Sequence, residues 1–195
     1  MKLEIKKGEP WVMWPDLLVG NFNDFPANKI FDHKGDYVFT IEFELVEQLT
    51  DKVCLFSKLP SYFGVDLRNG GITLTYSEKD KETDYIDANY NWLVGKRYEL
   101  KIEKKDKNII LTIDKFQIFN FKIENDLKED SDSHIIFGAG NFPKNGFNLN
   151  YFNVILYSIK IVKDGEVISH NDFEKFIHGK SYDITGNCNF IHKII

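Results

Sequence analysis

Cysteine is nearly missing: a chain of 195 residues has only Cys54 and Cys188. Two are too few for a disulfide framework, and without a CxxC spacing there is no metal-binding or redox pair. The expectation is two free thiols, with Cys54 buried inside VCLF. One long-range bridge stays open, because the first and last strands of a sandwich can lie side by side. Long apolar runs are missing as well. None approaches the roughly 18 residues that cross a bilayer, and MKLEIKKGEPW lacks the apolar region of a signal peptide, so a soluble chain without membrane insertion is expected. Positive charge is not in excess either. A formal net charge of −5 repels phosphate backbones, which removes nucleic acid from the expected partners.

Most motifs that carry chemistry are also missing. The five histidines, His33, His134, His170, His178 and His192, never form HxH or HExxH, so neither zinc nor a catalytic base is indicated. GAGN at 138 to 141 lacks the GxGxxG spacing and a following helix, which makes it a strand-end turn. There is no GxSxG elbow, and Cys54 has no base assigned to it. Repeats, low-complexity tracts and Pro/Ser/Gly-rich linkers do not occur, so a single domain over residues 1–195 is the economical reading.

What the chain does have is aromatic and alternating. Aromatics make up 15% of it, with 17 Phe and 9 Tyr, side chains that fit a pleated, half-buried surface. YVFTIEFEL puts Phe39, Ile41, Phe43 and Leu45 on one face and Thr40, Glu42 and Glu44 on the other. RYELKIEK repeats the pattern, with Tyr98, Leu100 and Ile102 opposed to Arg97, Glu99, Lys101 and Glu103. Further strands are predicted at VCLFSK, YFGVDL, GITLTYS, NIILTID, FQIFNFKI, HIIFGA, NVILYSIKIV and EVISH, with weaker ones at LEIKK and WVMW. Turn signals separate them: Asn69-Gly70-Gly71, KKDKN, Asn145-Gly146 and Asp164-Gly165. The last predicts a tight primed hairpin within SIKIVKDGEVIS. In FQIFNFKI the apolar phase slips between Ile118 and Phe119, which predicts a bulge or a sheet crossing. One short helix is predicted at 171 to 179, capped by Asn171, with Glu174 three residues on and Gly179 to end it. At this length folding can bury about 70% of the unfolded chain's surface. The expected fold class is all-β, two stacked antiparallel sheets or a closed barrel, with that one helix near the C-terminus.

The order of these segments resembles a known family. GDYVFTIEFELVEQLTDKVCLFSK is similar to the first core block of laminin G-like domains of the concanavalin A-like jelly-roll superfamily. NWLVGKRYELKIEKKDKNIILTIDKFQIF resembles that family's tryptophan-led strand pair, HIIFGAGN its strand end, and FNLNYFNVILYSIKIVKDGEVI its closing hairpin. The resemblance covers about residues 30 to 170. It implies a concanavalin A-like, two-sheet antiparallel jelly-roll sandwich whose partner is a glycan or a protein on another surface. Related domains of phage and bacterial surface proteins often end in a phrase like SYDITGNCNF, so a virion or cell surface is the implied setting. The alternatives are a diverged glycoside hydrolase or polysaccharide lyase of the same superfold, and a structural virion or scaffold domain that meets copies of itself as an oligomer.

Three groups of residues are candidates for a site. Glu42, Glu44 and Glu47 approximate the Glu-x-Asp-x-x-Glu motif of family 16 glycoside hydrolases, in which two carboxyls about 5 to 5.5 Å apart act as nucleophile and acid/base. Here the central Asp is a Glu, and no Trp or Tyr stands inside the motif to stack a sugar. A solvated strand face is the simpler reading. The second group lies in two aromatic and amide-rich stretches read as loops. DYIDANYNW offers Tyr85, Asp87, Tyr90, Asn91 and Trp92, and GAGNFPKNGFNLNY offers Asn141, Lys144 and Asn145. An aromatic ring stacked on a sugar face, with amides or carboxylates on its hydroxyls, is the chemistry of a lectin site. Trp92 also occupies the family's core tryptophan position, so packing competes with binding there. The third group follows from the resemblance, since many such domains hold one structural calcium. Asp183 and Asn187, with Asp32 or Asp36, are the oxygen donors for it, although Asp-x-Thr-Gly-Asn is also ordinary turn chemistry.

Overall fold

The computed structural model describes residues 3–5, 11–15, 33–59, 63–129, 134–137, 153–175 and 188–192. Among them are the strands β1 (Leu3–Ile5), β2 (Trp11–Pro15), β3 (Tyr37–Leu45), β4 (Val53–Leu59), β5 (Phe63–Arg68), β6 (Gly71–Ser77) and β7 (Thr83–Asn89). They are followed by β8 (Arg97–Lys105), β9 (Asn108–Ile113), β10 (Phe116–Lys122), β11 (His134–Phe137), β12 (Val154–Lys163), β13 (Glu166–Asp172) and β14 (Cys188–His192). One sheet runs β1-β12-β3-β8-β9-β10, with β13 also on β12, and the other runs β14-β2-β11-β4-β5-β6-β7. Every pairing is antiparallel. The two sheets form the expected all-β sandwich. None of the described residues forms a helix long and apolar enough to cross a membrane.

Alternation creates the core. Phe39, Ile41 and Phe43 of β3 are fully buried, as are Leu100 and Ile102 of β8 beside them and Val65, Leu67, Ile72 and Leu74 of the facing sheet. Each such side chain contributes about 1.5–3 kcal/mol by leaving water. The sheets meet through rings: Phe39 of β3 lies edge-on to Phe56 of β4, centroids 4.9 Å apart.

The turns behave as their residues require. Asp164 and Gly165 take φ of 48° and 86° in the β12–β13 hairpin, the positive angles of the primed turn that Asp-Gly predicts. The β9–β10 turn has positive φ at Asp114 and Lys115 without any glycine. Asp114 offsets that cost by binding β8 twice: its N–H donates to the Glu99 carbonyl and its carboxylate accepts the Glu99 N–H. The phase slip in FQIFNFKI is a bulge, with the register shifting between Gln117 and Phe119. It buries Phe119 and leaves Phe116 73% exposed.

A second bulge, between Leu156 and Ser158 of β12, has no counterpart among the expectations. It turns Tyr157 toward Glu44. The predicted helix at 171 to 179 needs correcting at its start. Asn171 is buried in β13 opposite Ile159. The chain leaves the strand only at Phe173–Lys175, a single 3-10 turn whose Glu174 N–H is accepted by the Asp172 carboxylate. The rest of that expectation, with Gly179, lies outside the described residues, as does the Asn145-Gly146 turn. Cys54 carries a free, buried thiol. β14, which holds Cys188, is three strand positions away from β4, about 14 Å at the usual strand spacing and too far for a disulfide.

Candidate functional site

Glu42 and Glu44 share the outer face of β3, Glu47 lies past its end, and each is engaged. Glu42 Oε2 accepts from Arg97 Nε at 2.8 Å and Nη2 at 2.5 Å, while its Oε1 accepts from the Ser158 hydroxyl at 3.0 Å. Glu44 accepts from the Tyr157 hydroxyl, which the β12 bulge delivers. Glu47, past the end of β3, accepts from the backbone N–H and the side-chain amide of Asn153, both at 3.2 Å. The Arg97 guanidinium also lies 4.0 Å over the Tyr157 ring and 3.5 Å from Glu174. A carboxylate held by a forked guanidinium is a strong clamp. The group ties β3, β8, β12 and the turn after β13 together.

DYIDANYNW is mostly strand, which corrects its reading as a loop. β7 forms the last strand of its sheet, beside β6, and strand alternation divides the candidates. Tyr85 and Asp87 point outward, in a row completed by Asn89, and the Tyr85 ring is 66% exposed. Asp87 is fixed from its neighbours: it accepts the Thr73 hydroxyl and lies 3.5 Å from the Arg68 guanidinium. Asn91 is exposed just beyond the strand. Trp92 faces the other way, 7% exposed, with its indole N–H donating to the Gly71 carbonyl at 2.8 Å and its ring 5.0 Å from Tyr98. Tyr90 is half-buried between them, 4.4 Å from Trp92, and burial followed by the Asp114 charge raises its hydroxyl pKa. Tyr85, Asp87 and Asn91 therefore share the open surface, while Trp92 belongs to the core cluster.

Asn141, Lys144, Asn145, Asp32, Asp183 and Asn187 lie outside the described residues. Asp36 is described, and its Oδ1 accepts the Asp106 N–H at 2.7 Å. Its backbone exchanges bonds with Asp164, N–H to Oδ1 at 3.0 Å and carbonyl from N–H at 2.9 Å. It thereby knots the start of β3 to two hairpin turns. No group of three or more His, Cys, Asp or Glu among the described residues is placed to hold a metal ion.

One feature that no sequence spacing announces is a cleft of about 560 Å³ at the end of the sandwich where β3 starts and β6 and β8 finish. Lys34, Lys79, Lys104 and Lys128 line it with Asp80 and Asp126. Beneath it Lys58, 1% exposed, binds both oxygens of Glu129 at 2.9 and 2.8 Å, and His33 Nδ1 lies 3.1 Å from the Tyr37 hydroxyl. Burial, then the charges of Lys58 and Lys104, hold His33 well below its ordinary pKa, and burial with Glu129 raises that of Tyr37. The lining lysines sit in four separate stretches of sequence, so only the topology unites them.

No protein-family model matches the sequence, and no curated protein matches it. Solved structures do share the fold. The binding domain of botulinum neurotoxin serotype D superposes with a TM-score of 0.58 at 13% identity, over 83% of this chain and 39% of that one. A structure of botulinum neurotoxin type C, whose cell entry is dependent upon interaction with two ganglioside molecules, gives 0.55 at 9% identity, over 82% and 42%. The binding domain of botulinum neurotoxin DC in complex with rat synaptotagmin II gives 0.54 at 9%, over 82% and 43%. The chain thus spans about two fifths of these solved chains. At such identities the likeness is one of fold alone.

Proposed function

We propose that this chain is a non-catalytic recognition module, a single laminin G-like unit that binds a glycan on another surface. The observation that carries this reading is the outer row of β7. An exposed ring, Tyr85, stands beside a carboxylate, Asp87, held in place by Thr73 and Arg68, with the Asn91 amide free in solvent. A flat ring beside fixed polar groups is how proteins grip the apolar face and hydroxyls of a sugar. Receptor binding by the neurotoxin domains that share the fold, one type interacting with gangliosides and one domain in complex with synaptotagmin II, supports recognition over catalysis. The order of laminin G-like phrases supports a phage particle or bacterial surface assembly as the setting.

A broad glycan array tests this. Binding by the wild type should weaken about tenfold in Tyr85→Ala and in Asn91→Ala, a loss near 1.4 kcal/mol each. Silence of the wild type across the array defeats the proposal, and so does binding that both variants retain in full.

A further inference from the structure

We infer that the cleft at the end of the sandwich binds an acidic sugar, whose carboxylate pairs with Lys104 and Lys79 and whose hydroxyls donate to Asp80 and Asp126. This goes beyond the glycan reading of β7, because Tyr85, Asp87 and Asn91 do not line the cleft. It starts from a lysine on a core position. Along β8 the inward side chains run Tyr98, Leu100, Ile102 and Lys104, so strand alternation puts an ammonium where the pattern calls for an apolar group. Lys104 is only 6% exposed. Its Nζ donates to the Gly35 carbonyl at 2.8 Å and lies 5.9 Å from the centroid of the Tyr37 ring, and both partners are uncharged. Lys104 joins none of the ion pairs among the described residues.

Glu129, in the same lining, is committed elsewhere. Both its oxygens accept from Lys58, and it also accepts the His33 N–H. Two buried lysines, Lys58 and Lys104, thus face a single carboxylate. Burial, then the charges of those two lysines, keep His33 neutral, so it adds nothing to the balance. A buried ammonium that faces only dipoles is costly, and an anion entering the cleft relieves that cost. Lys79, exposed in the same lining and likewise in none of the ion pairs, supplies a second cation. The wall that carries it is preformed: Lys79 N–H donates to the Asp126 carbonyl and Lys128 N–H to the Ser77 carbonyl, both at 2.8 Å. A sugar suits the lining better than a bare anion. The volume of about 560 Å³ falls among small-ligand pockets. The carboxylates of Asp80 and Asp126 take part in no ion pair or side-chain hydrogen bond among the described residues, which leaves them to accept from hydroxyls. The same two acids oppose a dianion such as phosphate.

The test titrates the full chain with D-glucuronate, with D-glucose, which has the ring without the charge, with acetate, which has the charge without the ring, and with inorganic sulfate. Amide shifts in nuclear magnetic resonance spectra should show glucuronate binding at least about tenfold more tightly than the other three, and more weakly as salt rises. Lys104→Met keeps the buried stem but removes the charge. It should weaken glucuronate about tenfold, while the melting temperature holds or rises, since no carboxylate is left unpaired by the change. Lys79→Ala, at an exposed position, should weaken glucuronate about threefold, and it decides the matter if Lys104→Met does not fold. Asp126→Ala should weaken glucuronate and leave acetate unaffected. Glucose binding as tightly as glucuronate overturns the inference, and so does acetate or sulfate binding as tightly, which would mark a simple anion site. No binding of glucuronate, or wild-type affinity in both lysine variants, overturns it as well. Such a failure leaves the β7 reading standing, because array binding that Tyr85→Ala weakens uses no residue of the cleft.

Discussion

Replacing Trp92 with phenylalanine separates packing from binding in the one residue that competes for both. The indole N–H to Gly71 bond is lost, at a net cost of about 0.5–1.5 kcal/mol. The smaller ring also leaves a void on the order of 40 Å³ against Phe43, Tyr90 and Tyr98, worth about 1 kcal/mol at roughly 24 cal/mol per Å³. Together Trp92→Phe should cost about 2 kcal/mol and lower the melting temperature by about 4–8 °C for a chain of this size. Tyr85→Ala, at an exposed position, should stay within about 0.5 kcal/mol. Urea denaturation followed by far-ultraviolet circular dichroism measures both, and the glycan array scores the same proteins for binding. A stability loss in Trp92→Phe with binding intact fits the buried geometry. A loss under about 0.5 kcal/mol, with glycan binding abolished, would refute the reasoning, because Trp92 would then be a binding surface and not a packed one.

Other outcomes follow from the same structure. Because His33 is held well below about 6.5, the unfolded chain gains a proton that the folded chain refuses. Stability should be full above about pH 6.5 and fall as pH drops from there toward the folded pKa, by up to about 1.4 kcal/mol per pH unit. Urea midpoints at several pH values should show that slope in the wild type and lack it in His33→Gln; equal slopes would exclude His33 as the cause. Gly64→Ala puts a Cβ 2.7 Å from the Phe56 carbonyl oxygen and 3.1 Å from Ser57 Cα, both backbone of β4, and should cost about 1–3 kcal/mol. Gly70→Ala has open space around it and a φ of +72°, so its cost should be only the backbone strain, about 1–2 kcal/mol; a larger loss than Gly64→Ala in the same denaturation series would reverse that ranking. Incubation with a β-glucan panel should release no reducing ends, since Glu42 and Glu47 are committed to Arg97, Ser158 and Asn153. Release that disappears in the Glu42→Gln, Glu47→Gln double variant would instead restore the hydrolase reading.

The parts of the fold legible in the sequence are those where a single force dominates. β3 and β8 alternate because one face of each is dry, and Asp164-Gly165 forms the primed turn because those residues accept positive φ. β7 was hidden for the opposite reason. Thr83, Asp84, Tyr85, Asp87 and Asn89 are all exposed, so an edge strand open on several sides shows no apolar period. Asn171 was misleading because local capping chemistry lost to pairing across β12, which buries it. The site was legible only as composition. Tyr85 and Trp92 look equivalent in DYIDANYNW, and their separation into surface and core depends on strand phase and on a hydrogen bond to Gly71, 21 residues earlier in the chain but adjacent in space. The lysine-lined cleft and the clamp on Glu42 depend on partners from distant strands, which spacing along the chain does not encode.

The pairing of early strands with late ones bears on how the molecule is made. Leu3 of β1 lies opposite Leu156, and Met13 of β2 lies opposite Phe190. β1 therefore waits for β12, and β2 for β14, before either is fully paired. Contacts this distant in sequence make folding slow, and a nascent chain would hold β2 with an open flank until β14 emerged. The hairpins from β4 to β7 and from β8 to β10 need no such delay, because each pairs with its immediate neighbours. Synthesis should thus build the sandwich from its middle strands outward, with β1 and β2 among the last to be secured.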